Sequence, residues 1–150
     1  MPLFLKTFAP FTIAAATLSS FLLCGGCGEI GPPRSALWGN VTWKGQPVPR
    51  GIIFFGPNVS KGNSGPQGFA LIHDGVFDTR QSPGKGCVAG PHIVQIHGCN
   101  GQNIRDERPY GDELFAPYET SLDVSAEAGE IDLIVPNTVQ PIPPGANEPE

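Results

Sequence analysis

The sequence predicts an all-β fold, a seven-stranded antiparallel β-sandwich, and three observations lead to that class. The 150 residues include 20 glycines and 17 prolines, about a quarter of the chain, which favours turns over helices. No segment sustains apolar residues at the i, i+3, i+4, i+7 positions of an amphipathic helix. Short runs rich in Val, Ile and Phe recur instead, each bounded by turn residues. Strands of this kind bury a face by packing in two layers.

The first two predicted strands differ in their expected burial. Residues Leu37–Trp43 alternate between two sets of side chains, which is typical of a strand with one buried face. A turn at Lys44-Gly45 follows. The next run, Gly51–Phe55, reads GIIFF, and its continuous apolarity predicts burial on both faces.

The central strands are predicted around a tight turn. Gly68–His73 and Val76–Thr79 flank His73-Asp74-Gly75, in which glycine supplies the positive φ that a hairpin requires. Pro91–Gly98 is the fifth strand. Its periodicity places one alternating set, His92, Val94 and Ile96, on one face, and the other set, Ile93, Gln95 and His97, on the opposite face.

The last two strands, Ser121–Ser125 and Ile131–Val135, flank the sequence Glu-Ala-Gly-Glu at residues 127–130. This arrangement predicts a closing hairpin.

The first 23 residues are different in kind from the rest. They carry one charge, Lys6, followed by an apolar stretch from Phe8 to Leu23. Sixteen helical residues rise about 24 Å, short of the roughly 30 Å hydrocarbon core, so an export signal is favoured over a permanent span.

The end of this segment resembles the lipobox of bacterial lipoproteins. Cys27 follows Gly25 and Gly26, as in the family, where such a cysteine receives a diacylglyceryl group before cleavage; Cys24 stands where leucine is usual. Ordinary signal cleavage is the first alternative. A redox or zinc C-x-x-C pair is the second, but no further cysteine or histidine lies within 40 residues.

Composition then divides the chain into four parts. Residues 1–26 are the expected signal peptide, 27–35 a Gly/Pro tether, 36–135 the β-domain and 136–150 a disordered Pro-rich tail.

The β-domain resembles carboxypeptidase-regulatory-like, transthyretin-like domains. The segments that carry the likeness are, in order, LWGNVTWKGQPVPRGIIFF, IHDGVF, GPHIVQI and LFAPYETSLDVSAEAG. The sequence departs from the family at Arg50, at His92, where an aromatic residue is usual, and in the polar insertion Asn100–Leu114. The combination of this domain with a lipobox-like sequence is similar to that of small lipoproteins of planctomycete-type bacteria.

The polar insertion holds the candidate ligand contacts. Arg105, Arg108 and Tyr110, together with Trp38, could hold a carboxylate or a sugar hydroxyl. The alternative, which the sequence favours, is a solvated connection.

The cysteines and histidines suggest no catalytic or metal site. An exported compartment favours a disulfide between Cys87 and Cys99, but a straight strand from Pro91 would hold the two thiols too far apart. His97 and Cys99 share one strand face, yet no zinc-peptidase spacing is present. We therefore expect no metal, no cofactor and no catalytic residues.

These observations predict a non-enzymatic lipoprotein tethered to a bacterial membrane through acylated Cys27, facing the periplasm or the exterior. It would act as a structural or binding module of the cell envelope, with an envelope protein or a glycan as partner. The alternative is carbohydrate or small-molecule binding through strand-end loops. A net charge of −5 without a basic stripe argues against nucleic acid.

Overall fold

The computed structural model describes residues 31–143, and these residues are all-β, as predicted. They form nine strands and one turn of 3-10 helix, Val59–Lys61. The strands are β1 Leu37–Trp43, β2 Gln46–Pro47, β3 Arg50–Pro57, β4 Gly68–His73, β5 Val76–Asp78, β6 Gly90–Cys99, β7 Tyr118–Val124, β8 Gly129–Glu130 and β9 Leu133–Val135. Within this described range, no helix is long and apolar enough to cross a membrane.

The nine strands belong to one sheet. Its path runs β2, β1, β5, β4, β3, β6, β7, with antiparallel neighbours throughout. β8 and β9 pair with β1 and run parallel to it. β3 is an interior strand of the path, between β4 and β6. The sheet curls around a single core to which nearly every strand contributes.

Two short turns connect neighbouring antiparallel strands, and both were predicted. Lys44 and Gly45 join β1 to β2 with φ of 51° and 73°. Asp74 and Gly75 join β4 to β5 with φ of 49° and 79°. Positive φ at both central residues is what a type I′ hairpin turn requires.

The strand β3 is buried on both faces, but unequally. Ile53 and Phe55 are fully buried in the core. Ile52 and Phe54 point to the opposite face and are only half-buried. The apolar run therefore forms an interior strand of the sheet, and its outer face requires a separate cover.

The fifth predicted strand, now β6, has the expected faces. His92, Val94 and Ile96 are fully buried, whereas Ile93 is 42% exposed. The alternation agrees with the period of two that the sequence shows.

The predicted closing hairpin is wrong. β7 pairs only with β6, while β9 crosses to the other end of the sheet and pairs in parallel with β1, Val41 opposite Leu133. Leu133 and Val135 are buried there. Pairing with β1 satisfies that strand's second edge and adds two apolar side chains to the core, which a hairpin with the half-exposed β7 would not do.

The segments on either side of the predicted domain are bonded to it within the described range. Ser35 exchanges two backbone hydrogen bonds with Cys87, at 2.7 and 3.0 Å. Val139 packs against the core, and the Ile142 N–H donates to the Leu114 carbonyl at 3.0 Å. The predicted signal peptide, Cys27 and the end of the tail, residues 144–150, lie outside the described residues.

Candidate functional site

A cleft of about 370 Å³ opens between the outer face of β3 and β6 and the polar segment that follows β6. We call this segment, residues 100–114, the polar loop, and the opening the β3–β6 cleft. The floor consists of Ile52, Phe54, His97 and Cys99, and the wall of Glu107, Arg108, Pro109, Tyr110, Gly111 and Glu113.

The polar loop is held in place by its own backbone. The Asn100 N–H donates to the Asp112 carbonyl at 2.9 Å, and the Asp112 N–H donates to the Gln102 carbonyl at 3.0 Å. The Leu114 N–H reaches the Gly98 carbonyl of β6 at 2.8 Å. These bonds fold the two arms of the loop against each other, so its wall residues face the sheet in a fixed position.

Asp112 organises the side chains of the loop. Its carboxylate accepts a hydrogen bond from Asn103 Nδ2 at 2.7 Å and another from Arg108 Nη1 at 3.4 Å. The Arg108 and Asp112 side chains are only 22% and 15% exposed. The positive charge of Arg108 is thus matched inside the loop by a carboxylate.

An imidazole bridges the aromatic floor and an acid on the wall. The His97 ring meets the Phe54 ring edge to face, with centroids 5.8 Å apart and an interplanar angle of 87°. His97 Nδ1 lies 3.9 Å from Glu113 Oε1, an ion pair only when the ring is protonated. The carboxylate of Glu113 therefore lies beside the ring pair of His97 and Phe54.

The Cys99 thiol at the end of the floor is not a nucleophile. Burial, together with the nearby carboxylates of Glu113 and Asp112, raises its pKa to about 11. Because the thiolate is the reactive form, a thiol with this pKa is inert at neutral pH. Cys87, in the core, has its pKa raised to about 12 by burial.

Two of the four predicted ligand contacts lie together. Arg108 and Tyr110 line the cleft. Arg105 lies farther out on the loop, where its backbone pairs with that of Arg108, and it does not line the cleft.

Trp38 lies elsewhere, on β1. Three neighbouring strands in the path separate β1 from β6. The Arg80 guanidinium stacks 4.1 Å from the centre of the Trp38 ring and pairs with Asp78 at 2.8 Å. The hydrogen bond from Arg80 lowers the pKa of the Asp78 carboxyl. This cluster of Trp38, Arg80 and Asp78 is separate from the cleft.

The possible disulfide is not formed, because Cys87 and Cys99 are free thiols. Cys87 lies near Gly68, whose partner on β3 is Phe55, whereas Cys99 pairs with Arg50 at the other end of β3. Five strand residues separate these positions by roughly 16 Å, well beyond the roughly 7 Å Cα limit for a bridge. The two thiols also lie on opposite faces of the sheet, Cys87 in the core and Cys99 under the polar loop.

The three histidines are apart from one another. His73 ends β4, His92 is buried in β6, and His97 lines the cleft. Among residues 31–143, no three side chains of His, Cys, Asp or Glu converge to hold a metal ion.

Sequence reasoning missed the apolar floor and the acids of the wall. Phe54 and Ile52 belong to the continuous apolar run of β3, which indicated that a second face needed cover. The sequence carried no signal that the cover would be the polar loop, or that Glu107 and Glu113 would face it. Comparison with protein-family models, curated proteins and solved structures gives no match for the chain.

Proposed function

We propose that this chain is a non-enzymatic, lipid-anchored module of a bacterial cell envelope, similar to lipoproteins with a carboxypeptidase-regulatory-like domain. In this proposal the curled sheet is a transthyretin-like sandwich, and Cys27 carries the lipid. The observation that supports the anchor is the lipobox-like sequence that ends at Cys27. A short Gly/Pro stretch separates Cys27 from Ser35, the first residue in a β-bridge within the described range. Anchoring by several acyl chains is durable at about 0.8 kcal/mol per buried CH₂.

Labelling of the full chain with radioactive palmitate in a bacterial host tests the anchor. The wild type and Cys24→Leu are expected to incorporate label, and Cys27→Ala to lose it. Cys24→Leu is the matched control, because it removes the neighbouring thiol and places at that position the residue that is usual in the lipobox. Label retained in Cys27→Ala, or lost in Cys24→Leu, would overturn the proposal.

A second function, binding of a carbohydrate or small molecule, is favoured by the β3–β6 cleft. Its volume of about 370 Å³ suits a small ligand, and it combines an apolar floor with charged groups on one wall. Tyr110 supplies a ring with a polar end, the residue type that binding sites use to combine contact area with a hydrogen bond. A hydrogen-bonded loop over a sheet is a suitable frame for such a site.

An array of glycans and small metabolites tests this second function. Tyr110→Ala is expected to weaken binding roughly fivefold to tenfold through loss of ring contact. Trp38→Ala, which removes an aromatic residue outside the cleft, is expected to leave binding unchanged. Binding that survives Tyr110→Ala, or that is lost equally in both variants, would separate the ligand from the cleft.

A further inference from the structure

The charges of the β3–β6 cleft do not favour the anionic ligand that its arginine suggests. Arg108 is already paired with Asp112 at 3.4 Å, and both side chains are largely buried in the loop. A ligand carboxylate would have to compete with a carboxylate that the fold itself supplies. The positive charge of Arg108 is therefore balanced within the loop by the carboxylate of Asp112.

The carboxylates of the wall are less satisfied than the arginine. Glu113 is 37% exposed and has His97 as its neighbour, 3.9 Å away and charged only when protonated. Glu107 is exposed and lines the same opening. With a neutral imidazole, the uncompensated charge of the cleft is negative.

The floor adds aromatic surface beside these acids. Phe54 is half-buried with part of its ring in the cleft, and Tyr110 stands on the wall. Aromatic faces attract cations through the ring quadrupole, most strongly where the cation is partly desolvated. Carboxylates and aromatic rings around one opening are the features that recognise an organic ammonium group.

We propose that the β3–β6 cleft binds a ligand through a primary ammonium group, held between Glu107 and Glu113 and against the rings of Phe54 and Tyr110. This inference rests on the proposed ligand-binding function of the same cleft. The shared chemistry is an alkylammonium, which an amino sugar or a free diamine can supply.

Calorimetric titration of the full-length chain in a non-ionic detergent tests the proposal with four probes. These are a glucosamine tetramer, its N-acetylated counterpart, 1,5-diaminopentane and glucuronate. The glucosamine tetramer or the diamine is expected to bind, and the neutral N-acetyl counterpart and glucuronate are not. Binding of the tetramer alone identifies an amino sugar, and binding of the diamine alone identifies a free amine.

Charge variants then assign the binding to the cleft. The double variant Glu107→Gln with Glu113→Gln is expected to lower amine affinity roughly tenfold. The matched control, Glu127→Gln with Glu130→Gln, removes the same charge from exposed positions outside the cleft and is expected to change affinity less than twofold.

The outcomes separate the two proposals. Binding of glucuronate or the N-acetylated sugar in the cleft without binding of either amine would overturn the ammonium inference and leave the cleft a binding site. Amine binding that is unchanged in the Glu107→Gln with Glu113→Gln variant, or that falls equally in the control variant, would also overturn it. No binding of any probe would overturn the inference and remove the support for the cleft as a site.

Discussion

At the scale of single residues, His92 is the least expected occupant of the core. It is fully buried, and its Nδ1 lies 2.8 Å from the Gly90 carbonyl oxygen. A carbonyl only accepts, so the ring proton belongs on Nδ1. Nε2 is buried without a partner.

His92→Leu is expected to raise the free energy of unfolding by about 1 kcal/mol, because burying an unpartnered acceptor costs about 1–3 kcal/mol and the lost hydrogen bond returns part of that gain. Urea denaturation followed by circular dichroism measures the change. His73→Leu, at an exposed strand end, is the matched control and should alter stability by less than about 0.5 kcal/mol. A loss of stability in His92→Leu would mean that Nε2 holds a buried water.

The thiols of Cys87 and Cys99 are expected to make the fold less stable at alkaline pH. Their ordinary pKa is 9.0, but in the folded chain it rises to about 11 for Cys99 and about 12 for Cys87. Above pH 9 the unfolded chain releases thiol protons that the folded chain retains. The unfolded state then binds fewer protons, so stability falls as pH rises through this window, by up to about 1.4 kcal/mol per pH unit and per thiol.

Cys99→Ala is expected to make this decline shallower. Urea midpoints at about pH 8, 9 and 10 measure the slope in both chains, and the difference between them isolates the thiol from lysines and tyrosines that titrate in the same range. Equal slopes in the two chains would show that Cys99 ionises in the folded state.

At the scale of elements, local pattern predicted the strands but not all of their partners. The alternation in β1 and β6 and the Asp-Gly turn after β4 depend on near neighbours in sequence, and those predictions are confirmed. The pairing of β9 depends on which edge of the sheet is open, and no local pattern contains that information. The cover over the outer face of β3 was missed for the same reason, since the polar loop meets β3 only through the fold.

Gly39 shows how the parallel pairing at β1 is made possible. It has φ of 152°, and a Cβ built there would lie 1.8 Å from the carbonyl oxygen of Ile131. The chain between β8 and β9 thus approaches β1 more closely than any side chain would allow. The Ile131 N–H uses this proximity to donate to the Trp38 carbonyl at 2.8 Å.

Gly39→Ala is therefore expected to cost about 3 kcal/mol or more, because the new methyl group must displace backbone rather than a flexible side chain. Gly129→Ala is the matched control, since a Cβ there meets nothing within 4 Å. It should change stability by less than about 0.5 kcal/mol. Thermal or urea unfolding of the two variants measures the difference, and equal effects would contradict the close approach at Gly39.

At the scale of the whole molecule, the sheet joins the beginning and the end of the described chain. Leu37 pairs with Gly129, and Trp43 pairs with Val135. The core cluster likewise takes Val41 from β1 and Val135 from β9. Contacts between residues so far apart in sequence carry a high loop-closure entropy, and the pairing of β1 with β8 and β9 can form only when the chain extends through Val135.

Truncation tests this dependence. A chain ending at Ser125 lacks β8 and β9, exposes one edge of β1 and removes the buried side chains of Leu133 and Val135, each a loss of roughly 1.5–3 kcal/mol of apolar burial. Since a small domain has only about 5–15 kcal/mol in total, this chain is expected to show no cooperative urea transition. A chain ending at Pro143 keeps every described strand and is expected to unfold like the full chain. A cooperative transition with an unchanged midpoint in the shorter chain would mean that β1 is stable without its parallel partners.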